Sequence, residues 1–135
     1  MLGEGVLLRE NHPINHLRKL GPVSAGFAVN FRESPSFRLH LAADLLAALL
    51  GLKFRISKDE WLALSTVTVL KATAELLNTS IEELTDELWS AKTERPKVIK
   101  DSAAAAVFAT VLGSFATWGM IFIPKLFRTR KGHSP

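Results

Sequence analysis

Cysteine is absent from the 135 residues, so neither a disulfide framework nor a thiolate metal site can form. Histidine is scarce, and His12, His16, His40 and His133 lack the spacing of a zinc site. Nothing signals redox chemistry. Also missing is a basic stripe interleaved with aromatics, which counts against a nucleic-acid partner. No secretory cleavage pattern is expected at the N-terminus, because Glu4, Arg9 and Glu10 interrupt it; the membrane helices would then serve as their own address. What the chain has is apolar surface. Hydrophobic residues make up 47% of a length suited to one domain, and the mean hydropathy is +0.16, which tilts the class toward membrane. The net charge of +4 comes from basic ends and connections such as LRKL, KTERPK and FRTRK, which flank apolar runs as they do beside anionic lipid.

Three apolar segments organise the sequence. SAAAAVFATVLGSFATWGMIFIP, residues 102–124, holds 23 uncharged residues between Asp101 and Lys125, long enough to span a bilayer. A second runs from Trp61 to about Ile81 and would span too, except that Lys71 and Glu75 lie inside it. Ionisable groups at that depth are costly and must face protein or water. The first, LAADLLAALLGL at 41–52, is short and contains Asp44, so by itself it equally suits a soluble core helix. Small residues recur every fourth position at Ala43, Ala47 and Gly51, and at Ala105, Ala109, Gly113 and Thr117, a spacing that lets membrane helices approach closely. Residues 1–38 contain no spanning run, and Pro13, Gly21, Pro22 and Pro35 break up any long helix there. Within them Ser24–Arg32 reads as a short helix lying on the membrane surface, and the tail FRTRKGHSP reads as unstructured. Lys and Arg number nine in residues 1–38 plus 84–100, against seven in the 53–60 connection plus the tail, which puts the KTERPK loop in the cytoplasm.

The second segment carries the chemistry. At about 100° per residue, Lys71, Glu75, Asn78, Glu82 and Asp86 fall within a sector of about 80°, one polar stripe on an otherwise apolar helix. Such a stripe is either a polar seam between helices or a site. A carboxylate in apolar surroundings becomes a usable general base, whereas one nearer water, such as Glu82, stays ionised and can hold Mg²⁺. Lys71, one turn before Glu75, would oppose that shift if the two paired. The third segment opens on Lys100 and Asp101: an acid favoured by the helix dipole, beside a compact positive charge suited to phosphate.

ELLNTSIEELTD (75–86), KD (100 and 101) fourteen residues after Asp86, and SFRLHLAA (36–43) ahead of a short first span together resemble the prokaryotic diacylglycerol kinase family, which includes the undecaprenol kinases. The resemblance covers roughly residues 15–125. It implies an all-α integral membrane protein, with three transmembrane helices and an N-terminal interfacial helix, assembled as a homotrimeric bundle. Its parts would be an N-terminal extension (1–23), a lipid kinase membrane domain (24–125, spans about 39–56, 61–83 and 101–124) and a basic tail (126–135). The implied activity is transfer of the γ-phosphoryl group of MgATP to a lipid hydroxyl, diacylglycerol or undecaprenol, at the cytoplasmic face of a bacterial inner membrane, between subunits. It needs no Gly-rich phosphate loop, and this sequence has none.

By the same resemblance Glu75 is the catalytic base, Asn78, Lys100 and Asp101 contact the nucleotide, and Glu82 binds the metal. Phe37 and Arg38 of the FR motif are assigned to the lipid. Two departures stand out. The position of a second metal-binding Glu, three residues before the Phe of that motif, is Ser34, with Glu33 one residue earlier; and the aromatic-His pair of the loop near the nucleotide is Lys92 and Thr93. His40 is similar to members outside the enteric type, whose lipid is often undecaprenol. The departures motivate an alternative, a catalytically inactive membrane bundle of the same shape. A soluble all-α nucleotide hydrolase is a third reading, against which the long uncharged segment argues.

Overall fold

The structure, a computed structural model, describes residues 20–89 and 94–131. They form four α-helices: α1 (Leu20–Glu33), α2 (Pro35–Phe54), α3 (Lys58–Leu88) and α4 (Glu94–Lys131). Lys92, Thr93 and most of the expected N-terminal extension lie outside the described residues.

Local chemistry sets the boundaries. Ser34 ends α1 and caps α2: its hydroxyl accepts from the Phe37 N–H at 3.2 Å, and Pro35 stands in the first turn, where a missing N–H costs nothing. α2 closes with Arg55 in the left-handed region (φ 48, ψ 55); the Ile56 N–H donates to the Gly51 carbonyl and the Arg55 N–H to that of Leu52. α3 starts with a reciprocal capping box between Ser57 and Glu60.

Three expectations need correction. α1 runs from Leu20 to Glu33, longer than Ser24–Arg32, because Gly21 and Pro22 sit in its first turn, where proline is tolerated. α4 begins at Glu94, so Asp101 lies beyond the first turn and away from the dipole's positive end. Phe127 to Lys131, expected to be unstructured, continue α4 past Pro124, since extending a long helix is far easier than nucleating one.

α3 and α4 share by far the largest helix interface. They run antiparallel, tied near one end by Lys100 on Asp86 and near the other by Lys125 on Glu60. α2 packs on α3, and α1 on both. The buried core is small and lies at the Glu60–Lys125 end, where Ala47, Ile56, Leu64, Ile121 and Phe122 gather with Trp61 and Trp118. Elsewhere the outward faces carry large apolar side chains, among them Leu45, Leu62, Val69, Phe115 and Met120. A contiguous apolar exterior of this kind is rare on a water-facing domain. Among the described residues α4 is the one helix long and apolar enough to cross a membrane by length and composition. Three charged groups in the middle of α2 and α3 are turned inward instead: Asp44, Lys71 and Glu75 are all buried.

Candidate active site

The polar stripe of α3 meets different partners along its length. Lys71 donates to Asp44 Oδ1 of α2 at 2.7 Å, and its ammonium lies 5.0 Å from the centre of the Trp118 ring of α4. It pairs with Asp44 and not with Glu75, the pairing that the sequence left open. One turn on, Glu75 is 2% exposed and faces the start of α2. His40 Nδ1 stands 2.6 Å from Glu75 Oε1, an ion-pair separation, though without the alignment of a hydrogen bond. The Ser36 hydroxyl donates to Glu75 Oε2 at 3.4 Å and lies 2.9 Å from the hydroxyl of Ser34. Hence Ser34, the departure from the family pattern, is the cap that starts the helix carrying Ser36 and His40.

Further along, Asn78 donates to Glu82 Oε1 at 2.9 Å, while its own Oδ1 is buried without a partner. That orphan acceptor is the kind of atom a ligand completes. At the end of the stripe Asp86 accepts from Lys100 at 2.8 and 2.9 Å. The hydrogen bond to Asp86 raises Lys100 above the ordinary lysine value, with added attraction from Glu82 and Glu83.

Glu75, His40, Asp44 and Lys71 lie along a groove of about 490 Å³ between α1, α2 and α3, walled by Phe27, Phe31, Phe37 and Leu41. Asp44 and Lys71 pair with each other, so the groove offers a largely hydrocarbon-lined channel in which the Glu75 carboxylate and the His40 imidazole stand together, with Arg32 and Thr68 also on its walls. A base here would be shielded from water and next to apolar walls.

The other expected residues are spread out. Phe37 is buried and packs its ring 6.4 Å from that of Phe27, while Arg38 is exposed and donates to the Arg32 carbonyl at 3.3 Å. Glu33 ends α1 exposed, and Asp101 is exposed beside Lys100. Among the described residues no group of three or more Asp, Glu or His side chains gathers as a metal site. One chain thus brings Glu75 to the lipid-like groove, and sets Asn78, Glu82 and Lys100 progressively further along α3 and across to α4.

The sequence profile described as Prokaryotic diacylglycerol kinase matches residues 23–122. The chain belongs to the prokaryotic diacylglycerol kinase family. Among curated relatives, the undecaprenol kinase of Bacillus subtilis (strain 168) is 32% identical over 95 residues, 70% of this chain and 77% of that protein. The family match runs from α1 through most of α4, so the groove and the whole polar stripe fall inside it.

Sequence reasoning did not assign a site role to His40 or Ser36. A signal existed: both precede α3 by a helix and share, four residues apart, one face of α2. Which face of α2 would meet Glu75 depended on packing, and apolar residues on every side of α2 hide it from a periodicity argument.

Proposed function

We propose that this chain is an ATP-dependent kinase for a membrane lipid alcohol, working as a multi-pass homotrimer in a bacterial inner membrane. The observation that carries the reading is Glu75, a carboxylate removed from water on the wall of an apolar groove. Its one-turn neighbour Lys71, the cation that would have neutralised it, is held by Asp44 instead. A lipid alcohol whose tail lies along Phe27, Phe31 and Phe37 would bring its hydroxyl to Glu75 Oε1 or Oε2. Glu75 takes the hydroxyl proton as the lipid oxygen attacks the terminal phosphorus of ATP, and the bond from that phosphorus to the bridging oxygen breaks.

The nucleotide side is assigned to Asn78, Lys100 and Asp101, with Lys92 and Thr93 from the connection between α3 and α4. Lys100 has three donors and can share them between Asp86 and a phosphate oxygen. Mg²⁺ would enter with ATP, since the described residues of one chain gather no set of three acidic or histidine side chains to hold it alone. Glu82 would hold it, Glu33 would serve as the second carboxylate, and the buried Asn78 Oδ1 offers a neutral oxygen nearby. Bound there, the ion supplies charge to offset that developing on the transferred group. Phe37 and Arg38 are assigned to the lipid, through the groove wall and the headgroup region.

Two features support assembly with further copies. Ala105, Ala109 and Gly113 are exposed on α4, and nothing lies within 4 Å of a Cβ built at Gly113, so this close-approach row is open to another helix. Among the described residues the nucleotide side is also open, with Asn78, Glu82 and Lys100 half-exposed and Asp101 exposed, which leaves room for a second copy to cover it. Three spans, α2, α3 and α4, follow from the same reading, with the ionisable residues of α2 and α3 kept off the lipid.

For the acceptor, the relative named undecaprenol kinase and the hydrocarbon walls of the groove favour a polyprenol; the family description keeps diacylglycerol as the second reading. The test is phosphate transfer by purified protein in lipid micelles with saturating Mg²⁺ and ATP. Labelled lipid phosphate is expected, and its absence with both lipids would end the enzymatic reading.

A further inference from the structure

A base sealed from water must still lose its proton after each turnover. The Glu75 side chain is 3% exposed, and Lys71, one turn away, holds no acceptor site for a proton. On the opposite side stands His40, whose side chain is 21% exposed and whose Nδ1 lies 2.6 Å from Glu75 Oε1. Of its two ring nitrogens only Nδ1 is buried without a hydrogen-bond partner. The imidazole therefore bridges a closed carboxylate and an open surface. Ser36, the other group touching Glu75, sits at the longer 3.4 Å.

We propose that His40 is the positioning residue and proton outlet of Glu75 in the lipid kinase reaction, an inference that rests on Glu75 being the base. In the resting state His40 Nδ1–H faces Glu75 Oε1, while Oε2 accepts from the Ser36 hydroxyl at 3.4 Å and keeps a second lone pair for the lipid hydroxyl. As the lipid oxygen–phosphorus bond forms and the bond to the bridging oxygen of ATP breaks, the hydroxyl proton passes to Glu75. Once the ring proton has exchanged through water from Nδ1 to Nε2, the carboxyl proton moves to the freed His40 Nδ1, and the imidazolium releases its Nε2 proton to solvent, which restores Nδ1–H facing the carboxylate. Imidazole suits this step because either ring nitrogen can carry the proton, so one can receive it while the other releases one. The charged and titratable groups around it are Glu75 and Lys71 on α3, Asp44 on α2 and Arg32 on α1, all lining the same groove.

The test compares His40→Gln, His40→Ala and Glu75→Gln, assayed for ATP binding, oligomer size and lipid phosphorylation across pH. His40→Gln is expected to keep assembly and the KM for ATP while kcat drops about 10-fold or more and its pH profile changes shape. In His40→Ala, added imidazole is expected to restore part of the lost rate, which a packing role would not allow. A His40→Gln protein with wild-type kcat at every pH overturns the inference, as does a loss in kcat matched by equal loss of ATP binding with no imidazole rescue. If Glu75→Gln is inactive while His40→Gln is fully active, the outlet fails and the base stands. If Glu75→Gln itself is active, the base assignment fails and the outlet with it.

Discussion

Lys71 Nζ lies 2.7 Å from Asp44 Oδ1, with side-chain exposures of 3% and 9%, so two opposite charges are buried against one another between α2 and α3. Breaking such a pair leaves one uncompensated charge and is far more costly than replacing both. Asp44→Ala should therefore lower stability by about 3–5 kcal/mol, whereas Asp44→Leu combined with Lys71→Met should be neutral or stabilising by up to about 4 kcal/mol. Denaturant unfolding in detergent measures both. Equal destabilisation by the single and the double change would show that the pair does more than cancel charge.

Gly51 is pinned by the turn it precedes. A Cβ there would stand 3.0 Å from both the Trp61 ring and Ile56 Cδ1, inside the packed core. Alanine would gain about 1 kcal/mol in helix propensity, but overpacking costs typically about 1–3 kcal/mol. Gly51→Ala should accordingly lower the unfolding midpoint, and Trp61 fluorescence should report the disturbance. A raised midpoint would mean that Trp61 turns aside freely.

The two ends of the α3–α4 hairpin should respond to pH in opposite directions. The Ser57 backbone N–H, and then Lys125, hold the Glu60 carboxylate below its ordinary range. The stability it contributes is present above the ordinary carboxylate value and disappears as pH falls through the lowered one. Lys100, raised chiefly by its bond to Asp86, contributes stability that is present below the ordinary lysine value and lost as pH rises through the raised one. Comparing unfolding of Glu60→Gln and Lys100→Met with the parent, the Glu60 difference should vanish in acid and the Lys100 difference in alkali. Salt should shrink both, because these pairs are open to solvent. Differences constant with pH would contradict the assignment.

Much of the site could be read from the sequence, because the stripe Lys71, Glu75, Asn78, Glu82 and Asp86 needs only helical geometry on one element. The structure keeps it intact but divides it: Lys71 and Glu75 face α2, and Asp86 faces Lys100 of α4. The partners across helices were less legible, since Asp44, His40 and Ser36 lie on a helix apolar on several sides, whose rotation is set by burial of Ala47 in the core and close approach of Gly51 to Trp61. Helix ends misled for a different reason. Gly21 and Pro22 read as breaks and the tail from Phe127 as unstructured, yet the first two occupy an N-terminal turn and α4, already long, continues past Pro124 to Lys131.

The acceptor lipid should follow the groove. Its walls are the hydrocarbon side chains of Phe27, Phe31, Phe37 and Leu41, and the Lys71 ammonium is drawn to Asp44, so undecaprenol should be phosphorylated faster than diacylglycerol at equal mole fraction. Initial rates on the two lipids decide it, and faster turnover of diacylglycerol would reverse the preference argued here.

The central claim is that Glu75 removes the proton from the lipid hydroxyl. The most direct measurement is lipid phosphorylation by Glu75→Gln alongside Glu82→Gln, with ATP binding and oligomer size recorded for each. Glutamine keeps shape and hydrogen bonding but accepts no proton, so Glu75→Gln should assemble and bind MgATP normally while turnover falls by roughly 10²-fold or more. Glu82→Gln should instead raise the Mg²⁺ requirement and weaken nucleotide binding together with rate. A Glu75→Gln protein that phosphorylates lipid at near the parent rate would contradict the account.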